Sequence, residues 1–436
     1  MTGIIKKMLF WLYRIFFLPT LLVMAPGYLW RMRRRGGYGA HFGQRFGAHP
    51  PLAPAMGKTQ RVWLQAVSVG EMLAIGPLLT ALKADGVEVY LTTTTSTGYR
   101  LAEERYRGVT VGVGYFPLDW WFFSALAWRR IDPHLVILTE GERWPEHLRQ
   151  ARRREVPVIA INARLSDRSY ARMMFFPAGA KLMFEGITRL LPASAWDETR
   201  FRTLGVPAGK LLTTGNIKLD VPVAQLSEAA RDRLRRELGL GSGLVLLGSS
   251  TWPGEEEALL AAWRRVVAAG QRCTLLLVPR HAERRGEIVR LLQGASVRFH
   301  LRSAGTAPAE VEVSVGDTTG ELSQFTQLAD VVFVGKSLSP HTGGQTPIEA
   351  AALGRPIIFG PGMGNFRSLA GDLVARGAAR EVGDASALVE EASRLLSNSE
   401  QRALMSSAAD QWRADNAGAV ERTMQVIREE LAALRR

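Results

Sequence analysis

The chain contains a single cysteine, Cys273, set in an apolar run. That excludes a disulfide framework and any metal site built from cysteines, and it fits a reducing compartment. No short-period repeat or low-complexity tract occurs along the 436 residues, which excludes a repeat array. Residues 1–60 contain no Asp or Glu at all, while Lys6, Lys7, Arg14, Arg31, Arg33, Arg34, Arg35, Arg45 and Lys58 supply nine cations. Of the net charge of +14, only +5 is therefore left for the remainder. Because these cations flank an apolar segment and are not interleaved with aromatics on a polar face, they point to a membrane with anionic lipids and away from nucleic acid.

The apolar segment, Met8 to Trp30, is rich in Leu, Phe and Trp but carries Arg14, Pro19 and Pro26. Its length only just suffices to span a bilayer, so a spanning helix and a bent or interfacial anchor both remain open. A secretory signal shares the charged-then-apolar pattern. The cluster Arg31 to Arg35 directly after the apolar run opposes export and keeps the rest of the chain on the cytoplasmic side.

Apolar residues make up 47% of a chain too long for one ordinary core, so two domains are expected. After a Pro- and Gly-containing connector near residues 47–59, short apolar runs alternate with helical patterns, which indicates parallel sheets. Candidate strands in the first half are Val62 to Val67, Val87 to Thr93, Gly112 to Pro117, Leu135 to Thr139, Val156 to Ile161 and a short Leu211 to Thr214. The pattern relaxes across Val221-Pro222-Val223, the expected boundary. A polar helix, Ser227 to Leu238, then precedes strands Leu244 to Leu247, Thr274 to Val278, Ala329 to Val334 and Pro356 to Phe359. The chain closes in helical segments from about Ala385. The expected divisions are an anchor at 1–35, α/β domains at 36–220 and 221–415, and a final helix at 416–436 that packs back on the first domain.

Two features carry chemistry. In Ala66-Val67-Ser68-Val69-Gly70-Glu71 an apolar strand stops at a glycine and delivers a carboxylate to the start of a helix expected over Met72 to Lys83. Ligands of open parallel sheets bind beyond the carboxyl ends of the strands, so Glu71 is a candidate catalytic group. An acid in a first helical turn also suits the macrodipole without any function. In the second half, Gly343-Gly344-Gln345-Thr346-Pro347 leads into a helix with Pro347 expected at its first position, where a missing N–H costs nothing. The N–H groups around Gly343 to Thr346 are expected to form an anion site, with Glu349 facing a ribose and a second loop, Gly360 to Phe366, beside it. Arg280 and His281 end another strand, where a guanidinium can hold a phosphate, and Thr318 is placed to cap a helix after Gly316-Asp317.

These pieces together resemble the Kdo (3-deoxy-D-manno-octulosonic acid) transferases. The matching segments, in order, are Ala66 to Glu71, Thr93 to Gly98, Glu140-Gly141-Glu142-Arg143-Trp144-Pro145, Asn162 to Ser166, Gly215-Asn216-Ile217-Lys218-Leu219-Asp220, Val278 to His281, Gly316 to Glu321 and Pro347 to Ala351. The resemblance implies an α/β GT-B fold, with two Rossmann-like domains whose parallel sheets face a cleft, and an N-terminal membrane anchor. It implies CMP-Kdo as donor, the acylated glucosamine disaccharide precursor of lipid A as acceptor, and inversion without a metal or other cofactor at the cytoplasmic face of the inner membrane. By position, Glu71 matches the general base, and Glu140 and Lys218 match groups that stabilise the transition state. Pro279, Arg280, Thr319, Gly320, Glu321, Thr346, Pro347, Ile348 and Glu349 match the CMP contacts. Departure of CMP from a ketosidic carbon leaves positive charge on the sugar ring and negative charge on phosphate, so carboxylates near the one and cations or N–H groups near the other act where charge develops.

Some positions depart from the family. Thr346 stands where Asn is usual, Gln345 where His is common, Lys336 where Gly is usual, Trp252 where His is common, and Arg143 where an apolar residue is common. Two other readings compete with this one. A GT-B enzyme using a UDP-sugar on a lipid shares the fold and anchor but not the Val-Gly-Glu and Asn-Ala-Arg-Leu-Ser segments. A noncatalytic membrane-bound anion-binding protein does not require acids at Glu71 and Glu140.

Overall fold

A computed structural model describes residues 3–34, 39–55 and 59–434. Arg35 and Lys58 of the basic flank lie outside the described residues. The chain divides into two compact units, Met1–Val221 with Ala417–Arg436, and Pro222–Asn416.

The first unit is built on a six-stranded sheet: β1 (Arg61–Gln65), β2 (Glu88–Thr93), β3 (Gly112–Tyr115), β4 (Leu135–Thr139), β5 (Val158–Ala163) and β6 (Arg189–Pro192). All pairs are parallel, in the order β3-β2-β1-β4-β5-β6. Strands buried on both faces need apolar side chains on both, and β1 shows why. Val62 and Leu64 enter one core with Leu79 and Leu82, while Trp63 points the other way, against Trp128 and Phe116. The last strand is Arg189–Pro192, and the expected Leu211 to Thr214 contributes only a single bridge from Leu211 to Leu190. The helix expected over Met72 to Lys83 is two helices, Val69–Ala74 and Gly76–Ala84. Pro77 sits at the first turn of the second, where it has no N–H to continue the first.

The final helix, Ala419–Ala433, covers one face of this sheet with Met424, Ile427 and Leu431. Burying each such side chain contributes about 1.5–3 kcal/mol. Asp220 fixes its start, Oδ1 accepting from Gly418 N at 2.8 Å and Oδ2 from Val420 N at 2.6 Å.

The N-terminal helix, Gly3–Arg34, runs unbroken through Pro19 and Pro26. Lys7–Trp30 has a mean hydropathy of 1.8, and it is long and apolar enough to cross a membrane. It is nonetheless attached to the first unit near both ends. Arg14 binds Glu146 through two hydrogen bonds, at 2.9 and 2.8 Å, and Tyr13 donates to Asp119 Oδ2 at 2.5 Å. Near the other end Tyr28 donates to the Thr94 carbonyl at 3.3 Å and Met32 packs with Tyr115. Trp11, Ile15, Phe16, Leu22, Val23, Met24 and Trp30 remain exposed.

The second unit holds a seven-stranded parallel sheet: β7 (Leu244–Thr251), β8 (Cys273–Pro279), β9 (Phe299–Leu301), β10 (Val313–Val315), β11 (Val331–Val334), β12 (Ile357–Phe359) and β13 (Ala379–Glu381). Their order is β13-β12-β11-β7-β8-β10-β9. Its main core gathers Leu246, Leu275, Leu277, Val331 and Phe333 under the helix Glu255–Ala268.

Candidate active site

In each sheet the strand order reverses beside its first strand, between β1 and β4 in one and between β7 and β11 in the other. Loops diverge at such points and leave a crevice for a ligand. Glu71 follows β1 and Glu140 follows β4, so the acids expected from the sequence lie at the reversal of the first sheet.

Glu71 is the third residue of the helix Val69–Ala74, whose N-cap is Ser68, and the two form a capping box. Its Oε2 accepts from Val67 N at 3.0 Å and Thr139 Oγ1 at 2.5 Å. Its Oε1 accepts from Ser68 N at 3.3 Å and Ser68 Oγ at 3.0 Å. The structural role of an acid at a helix start is therefore real here, alongside any chemistry. The segment Thr93 to Gly98 supports it: the hydroxyls of Thr93 and Thr95 donate to the Val67 carbonyl at 3.1 and 2.9 Å. Gly98 is required because a Cβ there would lie 2.6 Å from Thr93 Oγ1 and 3.1 Å from that carbonyl.

Glu140 has a left-handed backbone, φ 47°, which turns it out of the strand. Its Oε1 accepts from Lys218 Nζ at 2.6 Å and Asn162 Nδ2 at 3.3 Å. Asn162 Oδ1 in turn accepts from Ile217 N at 3.3 Å, and Asn216 Oδ1 from Lys218 N at 3.1 Å. Segments far apart in the chain thus hold one ion pair. Glu142, which residue type alone does not single out, accepts from Trp144 Nε1 at 2.8 Å and Gln65 Nε2 at 3.3 Å. Burial, and then the nearby Glu71, raises its pKa. Arg143 is half-buried, its guanidinium set against the rings of Phe184 and Phe201 at 5.6 and 5.8 Å. Burial lowers its pKa to about 10.

In the second unit, Glu255 organises the reversal, and it likewise escapes sequence reasoning. Its buried carboxylate accepts four backbone N–H groups, from Trp252 and Lys336 at 2.9 Å, Ser337 at 2.9 Å and Leu338 at 3.2 Å. Burial still pushes its pKa upward against their pull. Its one sequence signal is an acid at a helix start, which is indistinguishable from ordinary capping. Lys336, at φ 59°, places its ammonium 4.8 Å from the centre of the Trp252 ring, and that ring meets His281 and His341 at 5.6 and 5.5 Å. Gly335 cannot carry a Cβ, which would fall 2.3 Å from the Ser250 carbonyl oxygen.

The expectation of free N–H groups in this loop is corrected at two positions. Gly344 N and Gln345 N donate to the carbonyls of Lys336 and Gly335 at 3.1 and 3.0 Å, so they are already used. Pro347 is the N-cap, not the first helical residue, and the helix Ile348–Ala352 has only five residues. Thr346 Oγ1 accepts from Ile348 N at 3.3 Å. The second loop packs on the first, with Asn365 N donating to the Gly343 carbonyl at 3.0 Å. Thr318 does not cap the helix Leu322–Thr326; its hydroxyl donates to Glu321, whose carboxylate also binds Arg302 at 3.0 Å.

The remaining expected residues stand at strand ends. Pro279 closes β8, Arg280 projects exposed beyond it, and Thr319 and Gly320 are exposed after β10. Glu349 is half-buried, and burial raises its pKa. Among the described residues no group of three or more His, Cys, Asp or Glu is placed to hold a metal ion.

Known proteins share the sequence and fold of this chain. A family model for 3-deoxy-D-manno-octulosonic-acid transferase (kdotransferase) matches residues 40–221, and one for glycosyl transferases group 1 matches residues 299–412. The 3-deoxy-D-manno-octulosonic acid transferase of Bordetella pertussis is 36% identical over 92% of this chain and 94% of its own. That of Haemophilus influenzae is 32% identical over 94% of both. Among solved structures, a putative UDP-N-acetylglucosamine 2-epimerase from Listeria monocytogenes matches 86% of this chain and 97% of its own at TM-score 0.62 and 13% identity. The HepE protein of Anabaena, in complex with UDP and glucose, covers 86% of this chain and all of its own at TM-score 0.58 and 16% identity. At that identity they show the fold, a glycosyltransferase-like pair of parallel α/β domains. With relatives above 30% identity along nearly the whole length, the chain belongs to the 3-deoxy-D-manno-octulosonic acid transferase family.

Proposed function

We propose that this protein transfers Kdo from CMP-Kdo to the lipid A precursor, with inversion, and that Glu71 takes the proton from the acceptor hydroxyl. The observation that carries this reading is that Glu71, in the first helical turn after β1, and Glu140, just after β4 and paired with Lys218, stand at one strand-order reversal. A single displacement needs one base, and the leaving phosphate needs little acid assistance. The two oxygens of Glu71 already accept four hydrogen bonds, about the full capacity of a carboxylate. An incoming hydroxyl must therefore displace a donor. The hydroxyls of Ser68 and Thr139 can rotate away, whereas the backbone N–H groups cannot. Glu140 and Lys218 then stabilise charge developing on the sugar and its carboxylate.

On the donor side Arg280 is an exposed guanidinium suited to phosphate, and Glu349 is a desolvated carboxylate suited to ribose hydroxyls. The exposed side chains of the N-terminal helix are suited to the cytoplasmic face of the inner membrane, where such an acceptor resides. Because that helix is tied to the folded unit near both ends of its apolar stretch, lying along the interface suits it better than crossing.

The test is incubation of the purified protein with CMP-Kdo and the lipid A precursor, with mass spectrometry counting sugars added. One or more Kdo units per lipid is the expected result, and no product under conditions where CMP binds would sink the assignment. A thermal-shift comparison of CMP with UDP separates this reading from a UDP-sugar enzyme.

A further inference from the structure

Between the N-terminal helix and the helices Pro145–Arg153 and Pro177–Phe184 lies a cavity of about 500 Å³. Phe10, Trp11, Leu148 and Leu182 give it apolar walls, and Lys7, Arg149 and Arg152 stand around it as cations. The volume is in the range that holds a small ligand. Trp11 also belongs to the exposed apolar face of the N-terminal helix, so the cavity adjoins the surface already read as meeting the bilayer.

The charges around it are not balanced. Glu146 is taken by Arg14, and Glu185 by Arg152 at 2.5 Å. Arg149 forms no ion pair among the described residues; its guanidinium lies 4.6 Å from the centre of the Phe10 ring. Burial, together with Arg14, Arg153 and Arg152, holds its pKa below the usual arginine value. A half-buried guanidinium beside an apolar wall and other cations is complementary to a phosphate joined to a hydrocarbon chain. From this geometry we infer that the cavity is a binding site for the headgroup phosphate and upper acyl chain of an anionic phospholipid, seating the enzyme on the membrane at a defined position. Nothing in the catalytic machinery uses these residues. The inference rests on the membrane reading above and not on the Kdo chemistry.

The test is flotation of the full-length protein with vesicles of phosphatidylcholine alone and of phosphatidylcholine mixed with phosphatidylglycerol, alongside transferase turnover in detergent. Wild type is expected to bind the mixed vesicles more tightly. Arg149→Ala should weaken that binding about fivefold, the effect of one cation at an anionic surface, and leave binding to phosphatidylcholine unchanged. Leu182→Trp, which fills the cavity without removing a charge, should weaken it similarly, with an unchanged melting temperature confirming the fold. Arg33→Ala, an exposed cation elsewhere on the N-terminal helix, should have less effect.

Wild-type binding by both Arg149→Ala and Leu182→Trp would overturn the site. So would an Arg33→Ala loss as large as that of Arg149→Ala, which would mean diffuse surface attraction. Displacement by millimolar inorganic phosphate would identify a phosphate site in place of a lipid one. Failure of wild type to bind either vesicle while turnover in detergent persists would remove the membrane reading and leave the Kdo reading intact.

Discussion

Replacing Glu71 by Gln tests catalysis and architecture at once, and the structure separates the two. The carboxylate receives two hydrogen bonds on each oxygen, each oxygen taking one from a backbone N–H and one from a hydroxyl. A carboxamide keeps one acceptor oxygen and turns the other into a donor. The side-chain hydroxyls can reorient, but whichever way the amide is placed, Val67 N–H or Ser68 N–H then faces an NH2 group. Val67 is half-buried and Ser68 exposed, so the unpaired donor costs about 1 kcal/mol, the low end for such groups. With about 1 kcal/mol, and a fall in Tm of about 2–4 °C per kcal/mol for a unit of this size, Glu71→Gln should melt roughly 2–4 °C below wild type. Loss of a general base should lower turnover by about 10²–10⁴. Ser68→Ala is the matching control. It removes the N-cap, costing about 1 kcal/mol, yet keeps the carboxylate, so turnover should stay within about an order of magnitude. Differential scanning fluorimetry and CMP release read the two effects. If Glu71→Gln loses no more turnover than Ser68→Ala, Glu71 is a structural acid only. If its melting is unchanged, the four-donor network does not hold the loop.

Lys218→Ala leaves Glu140 without its cation. The pair is partly exposed, so stability should fall by no more than about 1 kcal/mol, while turnover falls by about a hundredfold with CMP affinity retained; equal loss of CMP affinity would move Lys218 out of the transition-state role. Gly335→Ala drives a Cβ into the Ser250 carbonyl and should abolish CMP-induced thermal stabilisation; a normal shift with CMP would show that the loops after β7 and β11 do not shape the donor site. Glu349 gives a pH test. Burial raises its folded pKa, so the folded state keeps its proton to higher pH than the unfolded chain, and stability falls as pH rises from about 4.3 through the raised value. Unliganded Glu349→Gln should therefore melt above wild type near about pH 7 and converge with it near about pH 4, yet gain less from CMP; an unchanged pH profile would refute the desolvation argument.

Much of the scaffold is legible in the residues. Leu135 to Thr139 has the expected strand limits, since five apolar or β-branched residues between polar neighbours leave little choice. The strands Phe299–Leu301, Val313–Val315 and Ala379–Glu381 escape detection because three residues are too few to show a period. The apolar pattern after Glu71 reads as one helix through Gly76-Pro77, whereas Pro77 in fact marks a new first turn. At the site, the pairing of Glu140 with Lys218 does not come from spacing, because it depends on left-handed turns at Glu140 and Asn162 that residue type alone does not specify. Glu255 is hidden for the opposite reason, since its four N–H partners are backbone groups that leave no trace in side-chain identity.

The closing helix Ala419–Ala433 has a consequence for biosynthesis. Met424, Ile427 and Leu431 belong to the core of the first sheet, yet they are translated only after all of Pro222–Asn416. At about 5–20 residues per second, the face bearing Val62, Leu64 and Leu79 waits roughly 10–40 s for its cover. The unit encoded first is thus completed last, and the inserted unit has time to fold before it. Nascent chains stalled before Ala419–Ala433 is made would carry an open apolar sheet, so ribosome pausing within the second unit becomes a hazard for the first.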